Sequence, residues 1–157
     1  MLKEIIKLIE DKEFKTAREK LLPLVRESTK NAELNYYSAV SHDALGMERE
    51  AIPFYEAALS YGINGELRER TYVQLGSSLR CIGEYQKSKA ILEEGEIEYP
   101  DNLAIKAFLA IVMYNLNEEE NSVRSLLETL VKTSSDPWIN SYRKAIDFYS
   151  GKLNQTW

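Results

Sequence analysis

The sequence predicts an all-α fold: a right-handed α-α superhelix, or solenoid, of stacked antiparallel helix pairs. Three observations carry this expectation. Around the turn Gly83-Glu84-Tyr85, the stretch Val73–Pro100 spaces its small and large apolar residues at helical intervals. The same signature occurs four times: a turn residue, a small residue five positions on, and a large apolar or aromatic residue nine positions on. Its anchors, Lys12, Gly46, Gly83 and Asn117, are separated by 34, 37 and 34 residues, a period that marks a repeat array.

The elements follow in order. The first residues, MLKEIIKLIEDKEF, break their apolar positions with charge at every turn, which reads as an amphipathic helix and not as a signal peptide. Lys12 leads into Phe14, Ala17 and Leu21, so residues 1–31 form an N-terminal helical hairpin with a short first helix. Three repeats follow at 32–68, 69–102 and 103–136, with first helices near Glu33–Leu45, Glu66–Cys81 and Leu103–Leu116. Gly46 and Gly83 suit turns that need a positive φ, and Asn117 is the usual second choice. The extra residues of the longer step, in SYGINGELRER, predict a longer loop from Gly62. Asp136-Pro137 opens a last helix, about Trp138 to Tyr149, with a capping Asp and Pro in the first helical position. Residues 137–157 then serve as a solvating cap and tail, with Trp138, Ile139, Tyr142 and Phe148 available for packing. The whole chain, 1–157, reads as one domain.

Two helices can approach to about 8–10 Å only where small residues occupy the contact. Ala39, Gly76 and Ala110 supply them on the first helices, and Ala51, Ser88 and Ser122 on the second. Tyr55, Leu92 and Leu126, one turn further, are expected to fill the flanking space. Pro23 and Pro53 fit less well. Both fall inside second helices, where proline costs about 3 kcal/mol and usually kinks the chain. Either those helices bend or they begin late.

The best unit, Tyr72-x2-Leu75-Gly76-x2-Leu79 followed by Ser88-x3-Leu92 and Pro100, resembles the tetratricopeptide repeat. The third unit matches through Leu109-Ala110-x2-Met113 and Ser122-x3-Leu126, and the first of the three through Ala51-x3-Tyr55. More narrowly, LGSSLRCIGEYQKS and DNLAIKAFLAIVMYNL give residues 32–130 a resemblance to the group-5 tetratricopeptide family of small bacterial proteins. The resemblance implies a protein-interaction scaffold without catalysis and names no partner.

Composition agrees with that class. A formal charge of −5, with no run of Lys or Arg, disfavours nucleic acid as a partner. No apolar run approaches membrane-spanning length, and a cytoplasmic protein is expected. The single cysteine, Cys81, has no disulfide partner and is read as a buried or half-buried thiol. His42, the only histidine, fills an aromatic slot of the repeat and is read as a packed structural residue. The acidic runs Glu93-Glu94 with Glu96, and Glu118 to Glu120, read as solvated faces, the latter also as favourable charge at a helix start. Phosphate loops, nucleophile elbows and metal-binding spacings are absent from the sequence, so no catalytic residue, metal or cofactor is expected.

Solenoids bind on the concave side lined by their first helices. At about 100° per residue, Tyr72, Leu75, Leu79 and Ile82 share one stripe and Arg70, Val73, Ser77 and Arg80 the opposite one. The repeat spacing adds Glu33, Tyr36, Val40 and Asp43 before it, and Ala104, Ala107, Ile111 and Tyr114 after it. The candidate groove is therefore Tyr36, Val40, Arg70, Val73, Ser77, Arg80, Ala107, Ile111 and Tyr114. Some tetratricopeptide proteins hold a peptide carboxylate with Lys and Asn at such positions; the residues here predict no such clamp. Two uses of the arginines stay open: an acidic peptide, or pairing of Glu33 with Arg70 and of Asp43 with Arg80. The expected partner is a protein or peptide. Self-assembly into a homo-oligomer is the alternative.

Overall fold

The structure, a computed structural model, describes residues 1–157 as ten helices without a strand. They divide into two compact units, Met1–Glu84 and Tyr85–Trp157. The first holds α1 (Leu2–Glu10), α2 (Phe14–Glu27), α3 (Ala32–Asp43), α4 (Glu48–Ser60) and α5 (Gly65–Cys81). The second holds α6 (Tyr85–Glu98), α7 (Leu103–Asn115), α8 (Glu119–Thr133), α9 (Pro137–Ser141) and α10 (Arg143–Ser150).

All four repeat anchors take the left-handed conformation: Lys12 at φ 63°, Gly46 at 71°, Gly83 at 83° and Asn117 at 59°. Each turn is closed the same way. The amide after the anchor donates back five residues, as in Met47 to the His42 carbonyl (3.0 Å), Glu84 to Leu79 (2.9 Å) and Glu118 to Met113 (2.9 Å). Glu13 repeats this bond to Leu8 at 2.7 Å. This is the bond pattern that satisfies the orphan carbonyls of a helix end, and it explains why a turn residue tolerant of positive φ recurs with the repeat.

Two sequence expectations change here. The extra residues before the second repeat lengthen α5 to 17 residues, against 12 for α3 and 13 for α7, and leave the connecting loop at Tyr61–Asn64. Helices α2 and α4 run through Pro23 and Pro53 and start at Phe14 and Glu48, so neither begins late. Both prolines lie on exposed faces, as do Glu19 and Arg49, whose carbonyls lose their helical donors, so water can satisfy them.

In the first unit, Ile5, Ala17, Leu21, Val25 and Leu34 join α1, α2 and α3 in one cluster. Beside it Ala39, Ala51, Tyr55 and Leu75 are fully buried, the small residues sitting where close helix approach requires them. The Tyr55 ring lies 6.3 Å from that of Tyr36, and its hydroxyl donates to Asp43 Oδ2 at 3.2 Å. Ser78 donates to the other Asp43 oxygen at 2.9 Å. Burial pushes the Asp43 carboxyl above its ordinary value, and these two hydrogen bonds oppose the shift.

In the second unit, Leu92, Ile105, Ala110 and Val112 are fully buried. The Ser122 hydroxyl donates to the Ala110 carbonyl at 2.7 Å, so the small residues of this hairpin meet through a buried hydrogen bond. Leu126 does not fill the flanking space. It is 43% exposed, as are Val123 (42%) and Leu130 (39%), while Ser122, Ser125 and Val131 are the buried residues of α8.

Ion pairs tie the helices of this unit together. Lys89 on α6 reaches Glu118 at 2.8 Å, and Lys106 on α7 reaches Glu128 on α8 at 2.8 Å. Both carboxyls are held below the ordinary glutamate value of 4.5, chiefly by the lysine hydrogen bonds. A carboxyl lowered in the folded state binds fewer protons there than when unfolded, so its contribution is complete above pH 4.5 and disappears as pH falls through the lowered value. Asp43, raised, acts in the opposite sense. The double variant Glu118→Gln, Glu128→Gln is therefore expected to lose less stability than the parent on acidification below that value. Thermal melts across pH check this, and an unchanged acid slope would contradict it.

The C-terminal helix is capped as the sequence implies: Asp136 Oδ1 accepts from the amides of Trp138 (2.9 Å) and Ile139 (3.0 Å), with Pro137 in the first turn. It breaks at Tyr142 into α9 and α10. Only Ser150 is buried; of the side chains offered for packing, Ile139 is half-buried while Trp138, Tyr142 and Phe148 stay 72%, 59% and 52% exposed. The outward face is thus aromatic rather than solvating.

Candidate functional site

In the first unit the candidate residues sit on α3 and α5, which touch side by side. Val40, Val73, Ser77 and Arg80 are half-buried and Arg70 is exposed. Tyr36 departs from the expectation of an open anchor. Its side chain is 4% exposed, packed edge-on against Tyr37 and tilted against Tyr55. Burial pushes its hydroxyl up to about 12, with Arg70 and a hydrogen bond to Gln74 opposing. The reason lies in α3 itself, which contacts α2, α4 and α5 and so buries residues all round. Tyr36 belongs to the seam between α3 and α5.

The arginine pairing is also local. Arg70 donates through Nε and Nη2 to Glu66 Oε1 at 2.8 and 2.6 Å, one helical turn back, and this carboxylate raises the guanidinium pKa. Glu33, the expected partner, is exposed. An i, i+4 carboxylate on the same helix is always within reach, whereas Glu33 must span two helices. Asp43 spends its oxygens on the hydroxyls of Ser78 and Tyr55.

In the second unit the candidates lie on α7. Ala107 is half-buried, while Ile111 is 40% and Tyr114 65% exposed. The sequence reading missed a further aromatic group near the C-terminus: Phe148, Tyr149 and Trp157 lie with ring centroids 5.3 to 6.2 Å apart. A density of aromatic residues without repeat spacing was its only signal.

The residues considered for chemistry have structural surroundings. His42 is 4% exposed, its ring tilted by 32° against that of Phe54, with Nδ1 2.7 Å from the Ser38 carbonyl and Nε2 accepting from Arg18 Nε at 3.1 Å. Both ring nitrogens are therefore committed. Cys81 is exposed, not buried, since it ends α5 on the outer side of the turn. No group of three or more His, Cys, Asp or Glu is placed to hold a metal ion, and no helix is long and apolar enough to cross a membrane.

No curated protein matches the chain significantly. The family model described as Tetratrico peptide repeat, group 5, matches residues 32–153. Repeats of this class are protein-interaction modules, generally without catalysis. The match begins where α3 begins and extends past α10, spanning the helix pairs from α3 onward and all three turns closed at Gly46, Gly83 and Asn117. The chain belongs to the tetratrico peptide repeat group 5 family.

Proposed function

We propose that the protein is a non-catalytic scaffold that holds a peptide or protein segment against its first helices, in the concave groove that the repeats imply. One observation carries this reading. Ile111 and Tyr114 are large apolar residues left open on α7, a first helix whose other face is fully buried. Exposed aromatic and aliphatic anchors of this kind concentrate binding energy at interfaces, and an extended segment or a helix with apolar side chains fits them. Val40, Val73 and Ser77 in the first unit, and Ala107 on α7 in the second, are half-buried small or aliphatic side chains. Arg70, already held by Glu66, is a weaker candidate for charge recognition.

Affinity for the natural partner, captured from the native cell, is therefore expected to depend on Tyr114 more than on Arg70 or Arg80. Tyr114→Ala should weaken binding at least tenfold with little salt dependence. Losses confined to Arg70→Ala and Arg80→Ala, with strong weakening by salt, would show instead that the groove reads charge. Tyr36→Ala is a poor probe, because it removes a core ring.

A further inference from the structure

A cleft of about 410 Å³ opens between α8 and α10, and its charge runs against that of the chain. Glu128, Val131 and Lys132 line it from α8, and Arg143, Lys144 and Asp147 from α10. Val131, only 7% exposed, makes the lining apolar at its base, and the stems of the basic side chains extend that surface. Two carboxylates sit among three cations, but Glu128 is already matched. Lys106 reaches it at 2.8 Å and Arg124 at 3.0 Å. With these two included, five cations face two carboxylates, in a chain whose formal charge is −5.

The three lining cations have no anion of their own. Lys132 and Lys144 make no ion pair or hydrogen bond, and Arg143 donates through Nη2 to the neutral Asn140 Oδ1 at 2.6 Å. Lys20, Lys89 and Lys106, by contrast, each reach a carboxylate on another part of the fold. Unpaired cations on facing helices repel, and an anion between them removes that cost. The volume lies toward the small end of the range of ligand sites, roughly 300–1,000 Å³, and has room for a few side chains. Asp147 on the rim penalises a compact dianion such as phosphate more than it does carboxylates spaced along a chain. The apolar base favours an aliphatic group beside those carboxylates.

We propose that this cleft binds an acidic segment of a protein partner, its carboxylates on Lys132, Arg143 and Lys144 and an aliphatic side chain between them on Val131. The site shares no residue with the candidate groove, so either proposal can fail alone. Fluorescence anisotropy of the full chain with a labelled, end-blocked Glu-Glu-Leu-Glu-Glu peptide should show saturable binding that weakens as salt rises. Lys132→Gln combined with Lys144→Gln, both at exposed positions, should weaken it at least tenfold with helicity unchanged. Tyr114→Ala should bind this peptide as the parent does. Glycine in place of the peptide's leucine should weaken binding severalfold. Absence of saturation up to millimolar peptide overturns the proposal. So does equal binding of Gln-Gln-Leu-Gln-Gln or of the glycine peptide, or an unchanged affinity in the double variant. Displacement by inorganic phosphate at the peptide's own concentration would mark a small-anion site and overturn it too.

Discussion

Tyr55→Ala is expected to lower stability by about 4 kcal/mol, within the range for truncating a buried aromatic ring. Tyr55 is the largest of the fully buried side chains. Its loss would leave a cavity beside Tyr36 and remove one of the two donors that hold the half-buried Asp43 carboxylate. Domains of this size have about 5–15 kcal/mol in total, so much of the stability of residues 1–84 would go. Tyr55→Phe keeps the ring and loses only the hydroxyl, with an expected cost of about 1 kcal/mol. Urea unfolding followed by circular dichroism separates the two. Equal midpoints for Tyr55→Ala and Tyr55→Phe would mean that the ring contributes little.

The second large effect is expected from Ala110→Leu, in the other unit. Ala110 is fully buried, and its carbonyl receives the Ser122 hydroxyl at 2.7 Å. Added side-chain volume there must push α7 and α8 apart. Overpacking costs about 1–3 kcal/mol, and the upper end applies because the separation also stretches the hydrogen bond. Ser122→Ala removes the bond without adding volume and should cost about 1 kcal/mol. If Ala110→Leu unfolds at the urea midpoint of the parent, the small residues do not set the helix approach.

What could be read from the sequence was whatever depends on backbone geometry. A left-handed residue is needed wherever a helix ends in this kind of turn, so Gly46, Gly83 and Asn117 announced their conformation directly. Ala39, Ala51, Ala110 and Ser122 did the same for helix contacts, since nothing larger fits there. The misread residues depend on how many neighbours a helix has. Helical spacing divides α3 into an inner and an outer face, but neighbours on several sides buried Tyr36 along with both faces. The pairing weighed for Arg70 reached across to Glu33 on another helix, although Glu66 lay one turn away on its own. At Leu126 the repeat register was right for Ser122 and failed one turn later, where the side chain stays 43% exposed. For α9 and α10, the helix and its cap were legible from Asp136-Pro137, while the aromatic outward face followed no repeat position.

The turns closed at Lys12, Gly46, Gly83 and Asn117 have a consequence for how the chain reaches this structure. Each reversal of direction is sealed by a backbone bond spanning five residues, and the strongest helix contacts are between sequence neighbours, α3 with α4 and α7 with α8. Little loop entropy is lost before such contacts form, so low contact order favours rapid folding, on the microsecond to millisecond scale of helical proteins. Nucleation need not begin at one place, because any hairpin with both helices present can start it and its neighbours can add on either side. During synthesis the hairpin of α1 and α2 can close while the later helices are still emerging, and each completed pair then offers a template for the next.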